Sequence, residues 1–578
     1  MLAGAGSGKT RVLTYRVAYF LSQKKIKPEN ILLLTFTNKA AEEMKNRVEK
    51  LVGVAPPFSG TFHSFCVKVL RIDGGAIGIP PNFLIYDEKD TRDALKEIVE
   101  NLNLSPDSYK PPALSATISD AKNQMLSPLQ FAEIAQGEWQ EKAFKVYSEY
   151  EKYLKQVGAL DFDDLLLKTV HLFEKKPEIL SKWQRKLTQI FVDEWQDTNK
   201  VQYKLTKLLT GKKGNLTVVG DAAQSIYGWR GADHRNITYL TQDFPKIKVV
   251  NLERNYRSTQ NILSAANSVI SRNTSHPILK LWTKKGNGEK IKIYRAKSGL
   301  DEASLIVNES RKLISKGYKL KDIAVLYRTN AQSRVLEEAF LHEGIPYVLV
   351  RGVRFYDRAE IKDVLSYLRL LVNPKDRVSK NRVLKIGKRR FEKFQEFSKD
   401  IKDIKKYSTL DLLDGILQKT DYLAKYKRET EENIMRLENI KELRSVATEF
   451  PDINEFLENV ALVEAEQDEK GVIKALGTDT NGKISLMTLH AAKGLEFPII
   501  FVVGMEEGIF PHSRSLWGMD ELEEERRLAY VGMTRAKELL YLTYANRRLY
   551  FGQKTSNPPS RFIIDIPEDL LETINQDK

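Results

Sequence analysis

The sequence predicts an α/β protein with two parallel-sheet cores, each interrupted by a mainly helical insertion. Three observations lead there. Short apolar runs ending in polar or acidic residues alternate with longer amphipathic stretches, the pattern of buried parallel strands whose C-terminal ends carry chemistry. The runs fall into two sets: 31–35, 190–192 and 216–219, then 323–327, 484–489, 499–503 and 539–543. Each set is divided by a polar, helix-rich stretch with few strand signals. The expected organisation is therefore 1–82 and 188–250 for the first core, with 83–187 inserted. For the second it is 251–355 and 476–578, with an insertion at 356–475.

In chain order the first element is a phosphate cradle, Ala3-Gly4-Ala5-Gly6-Ser7-Gly8-Lys9-Thr10. Glycines without Cβ atoms let backbone N–H groups converge on the β- and γ-phosphates of a nucleoside triphosphate. Lys9 supplies a point charge, and the Thr10 hydroxyl is placed to ligate Mg²⁺. The strict pattern has glycine where Ala3 stands, so context matters. Leu13, Val17, Phe20 and Leu21 recur at helical spacing after the loop, so it feeds a helix whose N-terminal dipole favours phosphate.

The strand at 190–192 ends in Asp193-Glu194. Such a pair can hold Mg²⁺ through the first acid and orient a water through the second, which makes Asp193 the metal-side residue and Glu194 the general base. In isolation the pair would read as a solvated turn. Downstream of Lys9 and Thr10, and continuing as Trp195-Gln196-Asp197-Thr198-Asn199, it does not. The charged run near Lys388 to Lys406 and the acidic patch near Glu464 to Glu469 read equally as solvated helix faces or as loops.

At 578 residues the chain is long enough for several domains. Lys plus Arg number 92 against 77 Asp plus Glu, a net charge of +15 that suits a polyanion such as nucleic acid. A single cysteine, Cys66, excludes an intrachain disulfide and multi-cysteine metal sites, and reads as a buried small apolar side chain. No run approaches the roughly 20 apolar residues that span a bilayer, and the N-terminus lacks a signal pattern. A cytoplasmic protein without a membrane partner is expected.

The stretch Asp193-Glu194-Trp195-Gln196-Asp197 resembles the acidic box of UvrD/Rep-type superfamily 1 DNA helicases of the PcrA-like kind. Other motifs of that family stand in the right order: Thr35 to Ala41, Gly60 to Phe65, Gly220 to Gly231, Leu252 to Ser258, Thr488 to Phe497 and Tyr530 to Ala536.

The resemblance implies two RecA-like P-loop cores with an ATP site in the cleft between them. Lys9, Thr10, Asp193, Glu194 and the γ-phosphate sensor Gln224 would come from the first core, and Arg257 and Arg535 from the second as arginine fingers. Gly4, Ala5, Gly6, Ser7 and Gly8 would wrap the phosphates. Tyr256 would stack on the adenine, Arg11 would cover its other face and Glu496 would bind the ribose. On the DNA track, Phe36, Tyr227, Trp229 and Tyr327 would stack on bases, and Thr61, His63, Arg230, His490 and Lys493 would contact the backbone or line the groove. For Tyr327, at the end of an apolar strand, core packing is the rival reading. His63 and His490 lack companions at metal-ligand spacing, so neither is read as a metal ligand.

The resemblance further implies an ATP- and Mg²⁺-dependent 3′ to 5′ helicase acting on single-stranded DNA and single-strand/duplex junctions, in repair or replication. Protein loading or repair partners are compatible with it, but no residue identifies one. Two narrower readings stay open: a DNA-stimulated ATPase that translocates or strips proteins without efficient unwinding, and an ATP-switched DNA-binding protein. The family also places a strand and an adenine-reading glutamine, its Q-motif, upstream of the phosphate loop, where this sequence has only Met1 and Leu2 before Ala3. From that the resemblance implies weak ATP/GTP discrimination and a loosened loop. The chain departs from the family pattern at Ala223 and Trp195, and only Lys385-Ile386-Gly387-Lys388-Arg389 hints at a duplex-contacting glycine turn.

Overall fold

The computed structural model describes residues 1–106, 108–427, 430–469, 482–550 and 552–574, with the side chains of 213, 230, 465–469 and 550 excepted. The chain divides into two compact units, residues 1–255 with 276–280, and residues 256–275 with 281–578.

In the first unit four strands run parallel in the order Phe58–Thr61, Ile31–Thr35, Gln189–Val192 and Leu216–Val218. Leu2–Ala3 extends this set: Ala3 N–H donates to Gly220 O, and the strand pairs in parallel with Asn251–Leu252 on its other side. Period-two alternation explains why the central strand is apolar throughout. Ile31 and Leu33 join Leu13, Val17, Met44, Phe191 and Val219 on one face, while Leu32 and Leu34 join Phe62, Phe65, Val69, Ile190 and Val192 on the other. Cys66 lies in the second cluster, fully buried, and burial pushes its thiol up to about 12, so it behaves as a small apolar side chain.

Within the stretch 83–187, residues 94–159 form a separate helical core in which Leu95, Ile98 and Val99 pack with Leu114, Val146, Tyr147 and Tyr150, whereas Leu165, Leu166, Val170 and Trp183 join the sheet's own cluster. The stretch also contains two short parallel strands, Leu84–Tyr86 and Ala159–Asp161, which are too short to leave a periodic signal. At its base the Lys122 ammonium, wholly buried, meets Asp161 Oδ2 at 2.8 Å, Asp164 Oδ1 at 2.9 Å and Glu151 Oε1 at 2.9 Å. Burial works against the lysine charge, but the three carboxylates outweigh it and raise its pKa.

The second unit is built on a seven-strand parallel path: Tyr347–Leu349, Ile484–Thr488, Ile323–Tyr327, Phe497–Val502, Ala536–Tyr550, Ile291–Ser298 and Leu571–Ile574. Its insertion runs through helices Ala359–Val372, Arg377–Ile386, Lys388–Asp400, Thr409–Lys419, Glu431–Glu449 and Ile453–Glu469. The charged run after Lys388 is thus largely helical. Glu464 lies on the last of these helices, and side chains 465–469 fall outside the described residues.

This insertion shares a continuous core with its sheet along most of its helices, since Val325, Tyr327 and Phe501 belong to one cluster with Val364, Leu368, Leu413 and Leu443. Buried polar groups reinforce the junction. Arg334 donates to Glu442 Oε1 at 2.8 Å and Glu338 Oε2 at 2.9 Å, and Arg358 donates to Asn439 Oδ1 at 2.7 Å and Ser333 Oγ at 2.8 Å. No helix among the described residues is long and apolar enough to cross a membrane.

Replacing Lys122 by methionine leaves Asp161 and Asp164 buried against each other with Lys168, 3.7 Å from Asp164 Oδ1, as the remaining cation, and the first unit is expected to lose about 3–5 kcal/mol in urea unfolding. A buried acid whose folded pKa is raised loses stability as pH rises through the titration, so the deficit should be smaller near pH 5 than near pH 8. A pH-independent deficit would show that the lysine acts through packing alone.

Candidate functional site

The phosphate loop leaves the strand Leu2–Ala3 and enters the helix Lys9–Ser22. Gly6 at φ 64° and Gly8 at φ 85° are left-handed, a backbone that side chains resist, and Gly8 caps the helix without any side-chain acceptor for its first N–H groups. The loop is pinned from within by Ser7 Oγ donating to Gly4 O at 2.8 Å, and from outside by Asn255 Nδ2 donating to Ala5 O at 2.7 Å. Lys9 Nζ donates to Ala3 O at 3.2 Å and stands 3.9 Å from Asp221 Oδ2.

The acidic box meets this loop directly: Thr10 Oγ1 donates to Asp193 Oδ2 at 2.8 Å. Burial, together with the Glu194 charge, pushes the Asp193 carboxyl up to about 7 against the pull of Thr10 and Lys9. Glu194 is non-glycine yet left-handed at φ 52°, a conformation that costs roughly 1–3 kcal/mol and is typical of functional turns. Its Oε2 accepts from Gln196 Nε2 at 2.6 Å, Gln196 Oε1 accepts from Asp221 N–H at 2.8 Å, and Asp221 Oδ2 accepts from Gln224 Nε2 at 2.6 Å. Lys9, Thr10, Asp193, Glu194 and Gln224 are therefore gathered at the C-terminal edge of the first unit's sheet by one polar chain.

Three members of that cluster were not among the sequence-derived site residues: Gln196, Asp221 and Asn255. All three stand inside the family motifs, and Asp221 follows an apolar run after one glycine, a weaker form of the signal that marks Asp193. Asn255 offers no such signal, because its role depends on reaching a carbonyl 250 residues away.

In the second unit the structure draws 257, 495–496 and 534–535 together. Arg257 Nε donates to Glu496 Oε2 at 2.7 Å and its Nη1 to Thr534 O at 3.0 Å. Lys537 lies 2.9 Å from Glu496 Oε1. Burial alone would raise the Glu496 carboxyl, but these two cations outweigh it and hold it down at about 2. Arg535 is buried, with Nε donating to Val531 O at 2.9 Å and Nη1 to Leu495 O at 3.4 Å. Tyr256 is exposed, and the Arg11 guanidinium lies 5.5 Å over the ring of Tyr15 on its own helix.

Of the expected base-stacking residues, Trp229 is 47% exposed on the short turn Gly228–Arg230, which closes at Gly231, φ 82°. Tyr227 precedes it, half-buried, and the Arg230 side chain lies outside the described residues. Phe36 is half-buried with its ring tilted against Phe62 at 6.0 Å. Thr61 caps the helix Phe62–Asp73, and His63 sets its ring edge-on to Phe162, where burial lowers its pKa. His490 and Lys493 are half-buried on the turn after Ile484–Thr488.

Tyr327 is a correction. Only 2% exposed, it is part of the second unit's core cluster, so its ring is not available to a base and core packing is the reading that holds. At the end of an all-buried strand, both faces of the sheet are covered.

Comparison with known proteins places these features. The family model described as the UvrD/REP helicase N-terminal domain matches residues 1–245, and the UvrD-like helicase C-terminal domain matches 250–414 and 386–547. The ATP-dependent DNA helicase PcrA of Staphylococcus aureus strain Mu50 is 44% identical over 623 aligned residues, covering 100% of this chain and 85% of the relative. PcrA of Bacillus subtilis strain 168 is 44% identical over 629, with the same coverage. Matched along nearly its whole length by both family models and by relatives of this identity, the chain belongs to the UvrD/REP helicase family.

Proposed function

We propose that this chain is an ATP-dependent DNA helicase that moves 3′ to 5′ on single-stranded DNA and opens duplexes at single-strand/duplex junctions, in repair or replication. The observation that carries the reading is the polar chain linking the phosphate loop, Asp193-Glu194, Asp221 and Gln224, in a member of this family.

Gly4 to Gly8 and Lys9 hold the phosphates through backbone N–H groups and one ammonium. A fit to Mg²⁺ rests on donor chemistry: the Thr10 hydroxyl and the Asp193 carboxylate are hard oxygens 2.8 Å apart, and Asp193 sits buried beside a second acid whose charge a cation would offset. Among the described residues no group of three or more His, Cys, Asp or Glu forms a metal cage. Thr10 and Asp193 would hold the ion, which would supply neutralisation of phosphate charge.

Glu194, its carboxylate fixed by Gln196, orients the attacking water and accepts its proton. Arg257 and Arg535 place cationic charge on the transferring phosphoryl group. Glu496 orients Arg257, and carboxylate oxygens accept more than one hydrogen bond, so it can still take a ribose hydroxyl. Gln224 and Trp229 stand on consecutive short turns of one segment, so a change at the γ-phosphate is passed over a few residues to an exposed ring. Phe36, Thr61, His63, Tyr227, Arg230, His490 and Lys493 complete the DNA track.

The second insertion's shared core with its sheet favours one further reading, a translocase that displaces bound proteins but separates strands poorly. Release of the labelled strand from a duplex with a 3′ overhang separates the two, since only the helicase frees it.

Glu194→Gln should abolish phosphate release while leaving ATP binding largely intact, and Lys9→Ala should impair both, because one handles the water and the other the phosphates. Near-normal turnover in Glu194→Gln removes it as the base. No phosphate release from the parent chain, with or without single-stranded DNA, would leave the ATP-switched binding protein.

Trp229→Ala should weaken single-strand binding by roughly 1–3 kcal/mol, the usual worth of a base–aromatic stack, and blunt DNA stimulation while sparing basal hydrolysis. A lost thermal transition in the variant would instead make Trp229 a packing residue.

A further inference from the structure

Three cations outside the family motifs, Arg295, Lys297 and Arg547, line one open groove of about 760 Å³ on the second unit, together with Tyr544, Asn546 and the segment 556–559. The strand Ile291–Ser298 explains the first two. Residues two apart share a face, so Arg295 and Lys297 are exposed while Tyr294 and Ala296 are buried. The adjoining parallel strand sets Tyr544 opposite Arg295 and Arg547 opposite Ser298. Asn546 Oδ1 accepts from Arg295 Nε at 2.5 Å and holds the guanidinium in place, and Ser556 Oγ ties the groove's far wall to Asn546 O at 2.7 Å.

What distinguishes this groove is its charge. Among the described residues none of the three cations is ion-paired with an acid, although most arginines of the unit are. Arg548, next in sequence to Arg547, shows the contrast: its guanidinium is neutralised by Glu302 at 2.6 Å and Glu506 at 2.7 Å. Like charges left together without counter-charges repel one another, and the arrangement is stabilised when a polyanion supplies the missing charge. A tyrosine ring, an asparagine amide and a serine hydroxyl among the cations add a stacking face and hydrogen-bonding groups for sugar and phosphate.

We propose that this groove is a second contact for nucleic acid, binding the phosphates of single-stranded DNA through Arg295, Lys297 and Arg547 with Tyr544 as a stacking face. It rests on the helicase reading above but uses none of the residues assigned there. The ring favours a single strand over a duplex, because only unstacked bases and sugars can lie on it.

The test is binding of a fluorescent oligothymidine by the full chain across a salt series, comparing the parent with Arg295→Ala/Lys297→Ala/Arg547→Ala and with Lys297→Glu alone. Each single-strand phosphate contact contributes about 0.7 to the slope of log affinity against log salt, so the triple variant should lose about 2 from the slope and on the order of tenfold in affinity near 150 mM salt. Lys297→Glu should shift in the same direction by less. Hydrolysis without DNA should be unchanged in both. Variants that match a DNA-binding parent in affinity and slope overturn the groove alone, as does a loss confined to blunt duplex. A parent that binds no oligomer overturns the helicase reading and the groove with it.

Discussion

The hydrogen bond from the Thr10 hydroxyl to Asp193 Oδ2, 2.8 Å long and spanning 183 residues of chain, is the contact on which the candidate site depends. It fixes the start of the phosphate-loop helix against the end of a strand in the middle of the first unit's sheet. Both partners get there by backbone pairing: Leu2–Ala3 is held by Gly220 on one side and Asn251–Leu252 on the other, and Gln189–Val192 lies between Ile31–Thr35 and Leu216–Val218. The carboxylate so placed is buried beside Glu194, which is why its proton affinity is raised. Gln196 and Asp221 then spread the strain of two neighbouring acids over a chain of amides ending at Gln224.

The two units solve the same problem, a helical insertion in a parallel sheet, by different means. The first insertion keeps an apolar core of its own over 94–159 while its last helices pack on the sheet, and Lys122 with three carboxylates sits where the two parts meet. Among the described residues the second has no separate core. Its helices continue the sheet's cluster, and Arg334, Arg358 and Asn439 tie the helix Glu431–Glu449 to the residues around Ser333. Buried ion pairs add little net stability over apolar packing, yet they are costly to break singly, so they fix which helix meets which. A separate core permits an insertion to move on its base, and a shared core makes the insertion and its sheet move together.

Charge follows the same division between fixed and available. Arg334, Arg358 and Arg548 are spent inside the second unit on buried acids and amides, and Arg257 is held by Glu496 and the Thr534 carbonyl. Among the described residues Arg295, Lys297 and Arg547 are not paired to acids, so a net charge that composition reports only as a total is resolved by the fold into structural and surface cations.

The sequence by itself determined the strands that are apolar throughout, such as Ile31–Thr35 and Ile323–Tyr327, because burial on both faces leaves a continuous run, and it determined the phosphate loop and acidic box, because their chemistry is local in the chain. It left Phe58–Thr61 unread for lack of an apolar run, and Ile291–Ser298 because a half-exposed strand alternates Arg295 and Lys297 with buried residues. It marked Asp193 and Trp229 but not the service of Gln196, Asp221 and Asn255, and it could not choose between a base platform and the core for Tyr327. Those were decided only by tertiary structure. Whether a polar side chain finds its partner, or a ring its solvent, depends on which distant strands lie beside it, and no local spacing carries that information.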